Sequence, residues 1–275
     1  MKEYIEKALA DRLEQFNTNT TLFEAMKYAV LNGGKRIRPM FSLHIADIFK
    51  VPYEKIIDIA VAIEFIHCYS LVHDDLPGMD NDMYRRGKLT THAKYGHSMG
   101  ILVGDALLTE SFSVIAKSNL KHKAKIIERL CYYAGVNGMI KGQELDIQYE
   151  NTDISLETLK EIHKNKTAAL LVASVELVLI ELEIDYNTSQ ELINMMYDLG
   201  VAYQIQDDIL DVYGDFKDTG KNSSDIENNK STYVSLLGIE KAKNILSDTF
   251  YRVKKVASKY EKLDNFIESI IKRRG

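Results

Sequence analysis

The chain has 275 residues, 45% of them apolar, enough to bury a substantial core in one large domain or two ordinary ones. Its formal net charge of −5 gives no support to a basic nucleic-acid surface. The 2 cysteines, Cys68 and Cys131, have neither CxxC nor Cys/His ligand spacing, which excludes a disulfide framework or zinc site and fits reduced thiols in a cytoplasmic protein.

The first twelve residues carry charge throughout and do not read as a signal peptide. With 3 prolines in the chain and long stretches of helical periodicity, the sequence predicts an all-α protein. Residues 3–15 read as a short amphipathic helix. Thr21-Leu-Phe-Glu24 reads as a capping box opening a second helix that stops at Gly33-Gly34. Pro39 suits the first turn of a third helix running to about Lys50. From Tyr53 to Asp75, Ile56, Ile59, Ala60, Ile63, Ile66, His67, Ser70 and Asp74 describe one face, broken by Pro77-Gly78. Further helices are predicted over 98–117, 122–140, 156–181, 188–213, 238–259 and 262–272. The apolar run 168–180 is interrupted by Glu176 and is too short to span a bilayer, so no membrane anchor is expected. No linker divides the chain, which predicts one domain over residues 1–275.

Two acidic clusters stand out. Residues 67–82 place Asp74, Asp75, Asp80 and Asp82 within nine positions at the end of an apolar helix. Carboxylates about 4 Å apart repel by roughly 4 kcal/mol at an effective dielectric near 20. Such a cluster is either solvated or bound to a cation, and oxygen donors favour a hard ion such as Mg2+ that bridges carboxylates to phosphates. An acidic loop in water accounts for this stretch equally well on its own. In residues 204–211, Gln204, Asp207 and Asp211 share a helical stripe with Asp208 beside it, and like charges at i,i+4 weaken a helix with no local return. Two such clusters, each ending an apolar helix, suggest a cleft with facing metal-binding walls.

The cationic residues fall elsewhere. Lys35, Arg36 and Arg38 lie on a loop between paired glycines and a helix start, a combination suited to phosphate, although a solvated basic turn is the ordinary alternative. Arg85-Arg86 follow the first cluster, where a salt bridge back to Asp80 or Asp82 is the plain structural reading. Lys166-Thr167 open an apolar run, and Lys221 and Lys230 lie on a polar stretch after the second cluster. His67 precedes Asp74 by seven residues, about 10 Å along the same helix face. Together these describe a site for two anionic substrates, one held through metal and one held directly by Arg and Lys.

The blocks Gly33–Pro39, His67–Asp82, Arg85-Arg86-Gly87, Gly104-Asp105-Ala106-Leu107, Gly142-Gln143-Glu144-Leu145-Asp146, His163-Lys164-Asn165-Lys166-Thr167 and Gln204–Asp211 carry a resemblance. From about residue 20 to 240 the chain resembles the trans-isoprenyl diphosphate synthases, most like the bacterial farnesyl type. The resemblance implies a single-domain isoprenoid-synthase bundle of about ten or more helices around a deep central cavity, working as a cytoplasmic homodimer. It implies head-to-tail condensation of isopentenyl diphosphate with dimethylallyl or geranyl diphosphate, giving mainly farnesyl diphosphate. By the same likeness Asp74, Asp80 and Asp207 ligate three Mg2+ ions, for which Mn2+ could substitute, with Asp75, Asp208 and Asp211 in support. Arg85, Lys166, Lys221 and Lys230 would bind the allylic diphosphate, with Thr167 and Gln204 facing the developing cation. Lys35, Arg38, His67 and Arg86 would hold isopentenyl diphosphate. Tyr69, about 7.5 Å along the helix from Asp74, resembles the aromatic floor that stops growth at fifteen carbons.

Three residues depart from the family pattern: Leu89 and Val234 replace proline, and Asn229 replaces the glycine before Lys230. A geranylgeranyl diphosphate synthase and a non-catalytic regulatory subunit are the alternatives, although the latter is expected to have lost aspartates from one cluster. A terpene cyclase would lack the second Asp-Asp-x-x-Asp and the Gly-Gly-Lys-Arg-x-Arg block.

Overall fold

A computed structural model describes residues 1–213 and 231–272. Among the described residues the chain is all-α apart from one two-stranded hairpin, and it divides into two compact units. The first comprises Met1–Glu128 with Ile180–Leu182; the second comprises Arg129–Leu179 and Glu183–Gly275.

The first unit is organised around α4 (Ile57–Asp74), whose residues Ile59–Ile66 are all buried. A helix that is apolar on every side needs neighbours all round. Here they are α1 (Lys2–Glu14), α2 (Thr21–Leu31), α3 (Ile37–Ile48) and α6 (His97–Lys117). Before α4, Tyr53–Lys55 form a 3-10 turn, so the helix begins later than the periodicity suggested. The cap of α2 is also displaced by one residue. Thr20, not Thr21, accepts from Phe23 N–H, because Thr20 alone has the extended backbone that an N-cap needs. Between α4 and α6 lie the strands β1 (Tyr84–Arg85) and β2 (Lys88–Leu89), paired antiparallel, and the short helix α5 (Thr91–Tyr95). By length and composition α6 could cross a membrane, but Val103, Leu107, Val114 and Ile115 are buried and the helix packs on α4.

The second unit holds α8 (Met139–Gln148), α9 (Leu156–His163), α10 (Ala169–Glu181), α11 (Tyr186–Tyr213), α12 (Tyr233–Leu237), α13 (Ile239–Ala257) and α14 (Glu261–Ile271). Helix α7 (Lys123–Ala134) leads into it. The helix expected over 122–140 therefore breaks: Gly135 to Gly138 turn the chain, and Met139 starts a new helix. The helix expected over 156–181 is likewise interrupted, because Lys164–Ala168 form a π turn between α9 and α10. A small core of Leu159, Ile205, Ile209, Tyr233 and Ala242 ties α9, α11, α12 and α13 together.

Candidate active site

Each unit carries one acidic cluster and its own set of cations. In the first unit Asp74 is the last residue of α4 and Asp75 is its cap. The chain then folds back, so that Asp80 N–H donates to the Asp74 carbonyl at 2.9 Å. This return takes up the long spacing of the cluster and keeps the two ends of Asp74–Asp80 side by side. Asp74 is half-buried and Asp80 exposed, whereas Asp75 is only 3% exposed.

Asp75 is committed to Arg85, whose Nε donates to Oδ1 at 2.7 Å and whose Nη2 also lies 3.5 Å from Asp82. Burial, which favours the neutral acid, lifts the Asp75 carboxyl above its ordinary range against the pull of Arg85. The sequence left Arg85 open between a phosphate ligand and a bridge to Asp80 or Asp82. In this structure it pairs chiefly with Asp75.

A second group of cations gathers around Gly33-Gly34. The Arg86 guanidinium donates to the Gly33 carbonyl and lies against Gly34, whose φ of 132° is a backbone conformation that favours glycine. Arg38 Nη1 lies 3.5 Å from His67 Nε2. Burial and the surrounding arginines, Arg38 and Arg86 foremost, hold the His67 imidazole well below its usual range, so it is neutral. The structure thus brings Arg38, His67 and Arg86 together, with exposed Lys35 on the adjoining loop.

Arg36 departs from the sequence reading. Grouped there with Lys35 and Arg38 as a phosphate-binding candidate, it points instead into the core, 2% exposed, with a left-handed backbone at φ 52°. It donates to Glu6 at 2.8 Å, to Glu64 at 2.7 Å and to the Val30 carbonyl at 2.6 Å. These partners take up its guanidinium and anchor the loop that carries Lys35 and Arg38.

In the second unit the π turn presents Lys166 and Thr167. Lys166 Nζ donates to Asp146 on α8 at 2.6 Å, and the Thr167 hydroxyl donates to Gln204 on α11. Asp207 and Asp211 lie further along the same helix, half-buried and exposed respectively. Asp208 faces away and caps α12 by accepting from Tyr233 N–H at 2.7 Å. His163 stacks on the Tyr233 ring, and burial pushes its imidazole down to about 4, Asp146 opposing and Lys166 assisting. Lys221 and Lys230 lie outside the described residues.

The donors suit a hard cation. Asp74, Asp80, Asp207 and Asp211 offer only oxygen, while Asp75 and Asp208 already hold Arg85 and the Tyr233 N–H. Among the described residues no three His, Cys, Asp or Glu side chains converge, so phosphate oxygens and water would complete the shell of a Mg2+ ion at either cluster.

Sequence reasoning passed over Asp146 and Tyr233 as site residues. Asp146 lay within a block quoted only for its likeness to a family, and nothing in its spacing pointed to Lys166, 20 positions on.

Comparison with known proteins gives this arrangement a family. The polyprenyl synthetase model matches residues 19–270. The chain is 42% identical over 261 residues to the farnesyl diphosphate synthase of Micrococcus luteus, covering 92% of this chain and 89% of that protein. It is 38% identical over 250 residues to the geranylgeranyl diphosphate synthase of Cyanophora paradoxa, covering 88% and 82%. A geranyltransferase of Helicobacter pylori, solved with magnesium and isoprenyl diphosphate, superposes with a TM-score of 0.81 at 33% identity, covering 97% of this chain and 95% of that one. The chain belongs to the polyprenyl synthetase family.

Proposed function

We propose that the chain is a Mg2+-dependent prenyltransferase that condenses isopentenyl diphosphate head-to-tail with dimethylallyl or geranyl diphosphate, giving mainly farnesyl diphosphate. The observation that carries this reading is the separation of charge within the first unit. Arg38, His67 and Arg86 form a cationic group at Gly33-Gly34, while Asp74 and Asp80 stand together at the end of α4. One anion can be held directly and another through a cation. The farnesyl diphosphate synthases among the relatives support the fifteen-carbon product. The Cyanophora relative keeps a twenty-carbon product as the second reading.

In this reading Lys35, Arg38, His67 and Arg86 bind isopentenyl diphosphate, and Arg85, Lys166, Lys221 and Lys230 bind the allylic diphosphate. Asp74, Asp80 and Asp207, with Asp75, Asp208 and Asp211 in support, would hold three Mg2+ ions, or Mn2+ in their place, which would supply positive charge to offset the departing diphosphate. Lys166 adds a fixed positive charge beside that leaving group. Thr167 and Gln204 turn oxygen lone pairs toward the allylic carbon as it becomes positive. Apolar walls keep water from the cation, and Tyr69 closes the space for the growing chain. The double bond of isopentenyl diphosphate then attacks, and the proton lost at the end goes to the released pyrophosphate. No side-chain nucleophile is required.

We further propose that the two units work as one isoprenyl diphosphate synthase domain, in a cytoplasmic homodimer with no nucleic-acid partner. The family match across both units supports the first point, and the free Cys68 and Cys131 agree with a reducing compartment.

The test is product analysis of purified protein with Mg2+, labelled isopentenyl diphosphate and, separately, five-, ten- and fifteen-carbon allylic diphosphates. A dominant fifteen-carbon product, abolished by EDTA or Asp74→Ala, is the expected result. A twenty-carbon product would keep the reaction and discard Tyr69 as the floor. No condensation with any starter would sink the proposal in favour of the regulatory subunit.

A further inference from the structure

Residues Lys164–Ala168 form a π turn in which Ala169 N–H donates to the Lys164 carbonyl. Such a turn pushes the backbone outward, and single π turns of this kind are frequent at functional sites. Two flanking helices make room for it in the same way. On α8, Gly142 faces the backbone of Lys166, where a Cβ would lie 2.5 Å from Lys166 Cα. On α11, Gly200 faces Ala168, where a Cβ would lie 2.7 Å from Ala168 Cα.

One helical turn beyond each glycine stands the side chain that binds the functional group of the π turn. Asp146 follows Gly142 by four residues and accepts from Lys166. Gln204 follows Gly200 by four residues and accepts from Thr167. Residues at i,i+4 share a helix face. Each helix therefore offers the π turn the same pair of features, a missing side chain against its backbone and an acceptor for its side chain.

We infer that Gly142 with Asp146, and Gly200 with Gln204, form a two-sided cradle that fixes where Lys166 and Thr167 point. Gly142, Gly200 and Asp146 are thereby positioning residues. This rests on the reaction proposed above. A methyl group at either glycine collides with the turn, and relaxation of the π turn by one residue re-aims the following side chains by about 100°. Lys166 then leaves Asp146 and Thr167 leaves Gln204, with no change in the groups that bind isopentenyl diphosphate.

The experiment combines steady-state kinetics with hydrogen exchange across residues 160–172 in the wild type, Gly200→Ala and Gly200→Ala/Ala168→Gly. Gly200→Ala is expected to lower kcat on the order of 10²-fold, because small misplacements of reacting groups are that costly. KM for isopentenyl diphosphate should stay within about twofold. Exchange should quicken at 164–169 alone, and Ala168→Gly, which removes one of the colliding carbons, should restore part of both losses. Unchanged kcat and unchanged exchange in Gly200→Ala would overturn the inference. So would loss of protection throughout the chain without recovery in the double variant, since that describes a merely structural glycine. Should Gly200→Ala fail to fold, Asp146→Asn replaces it: a fall in kcat of about tenfold or more at constant KM for isopentenyl diphosphate supports the cradle, and wild-type kcat refutes it. Should the wild type condense nothing, the reaction is wrong and exchange alone decides. Local opening at 164–169, relieved by Ala168→Gly, then upholds the cradle, and unchanged exchange removes it.

Discussion

Arg85 Nε donates to Asp75 Oδ1 at 2.7 Å, so the second aspartate of the first acidic cluster serves as the counter-ion of an arginine. Breaking a buried pair from one side leaves a charge without compensation, at a cost of about 3–5 kcal/mol. Arg85→Ala is therefore expected to destabilise the protein by about 3 kcal/mol near pH 7, less than the full buried value scale because Arg85 is partly exposed. With Arg85 gone, the folded-state pKa of Asp75 rises further above its unfolded value. Stability is then retained below the unfolded carboxyl range and lost as pH rises through the folded pKa. Urea melts at pH 4 and pH 7 check this, and an equal loss at both would contradict it. In the double variant Arg85→Ala/Asp75→Ala part of the loss should return.

Arg36 supports the site from the core. Burial alone would lower its pKa, but its bonds to Glu6 and Glu64 hold the guanidinium in its charged form. Arg36→Ala is expected to cost about 3–5 kcal/mol, and Arg36→Lys to recover little, since an ammonium cannot reproduce the fork. Because Arg36 anchors the segment bearing Lys35 and Arg38, KM for isopentenyl diphosphate should rise more than KM for the allylic substrate. Denaturant melts and two-substrate kinetics report the two effects separately. Equal changes in both KM values would mean that Arg36 supports the fold alone.

His163 makes the second unit acid-sensitive. Its Nδ1 is buried with no hydrogen-bond partner among the described residues, and burial takes the imidazole down to about 4. The folded pKa lies below the unfolded value of 6.5, so its contribution is fully present above 6.5 and is lost as pH falls toward 4. The loss should be on the order of 3 kcal/mol. His163→Phe keeps a ring against Tyr233 without the proton. Its stability should vary less between pH 7 and pH 4 than that of the wild type. An identical pH profile would refute the assignment.

Tyr69 is 5% exposed, edge-on to the His73 ring at 5.8 Å, and its hydroxyl has no partner among the described residues. Burial, aided by Asp74, pushes the phenol up to about 12. Replacing an unpaired buried hydroxyl with hydrogen should leave stability unchanged or raise it by about 1 kcal/mol, so Tyr69→Phe is expected to keep product length and fold. Tyr69→Ala should lengthen the product while leaving the condensation itself intact. Chain-length analysis of both variants decides, and an unchanged product from Tyr69→Ala would remove the floor assignment.

Much of this molecule is written in local sequence. Apolar spacing over Ile57–Asp74 and the near-absence of proline specify helices, because helix faces repeat within four residues. The clustering of Asp74 with Asp80 and of Asp207 with Asp211 is likewise local, since their neighbours share a helix or a single turn. The sequence therefore determined by itself the helical class and the two acidic clusters. Tertiary structure alone decided which charges are used up. Arg36 is taken by Glu6 and Glu64, Asp75 by Arg85, and Asp208 by the N–H of Tyr233. The same holds for the π turn, whose room comes from Gly142 and Gly200 on two other helices. Each of these pairings joins residues ten to thirty-two positions apart, as from Asp75 to Arg85 or from Ala168 to Gly200. Periodicity states which face a side chain occupies. Which partner meets that face depends on how separate helices pack, and that is decided only when the chain has folded.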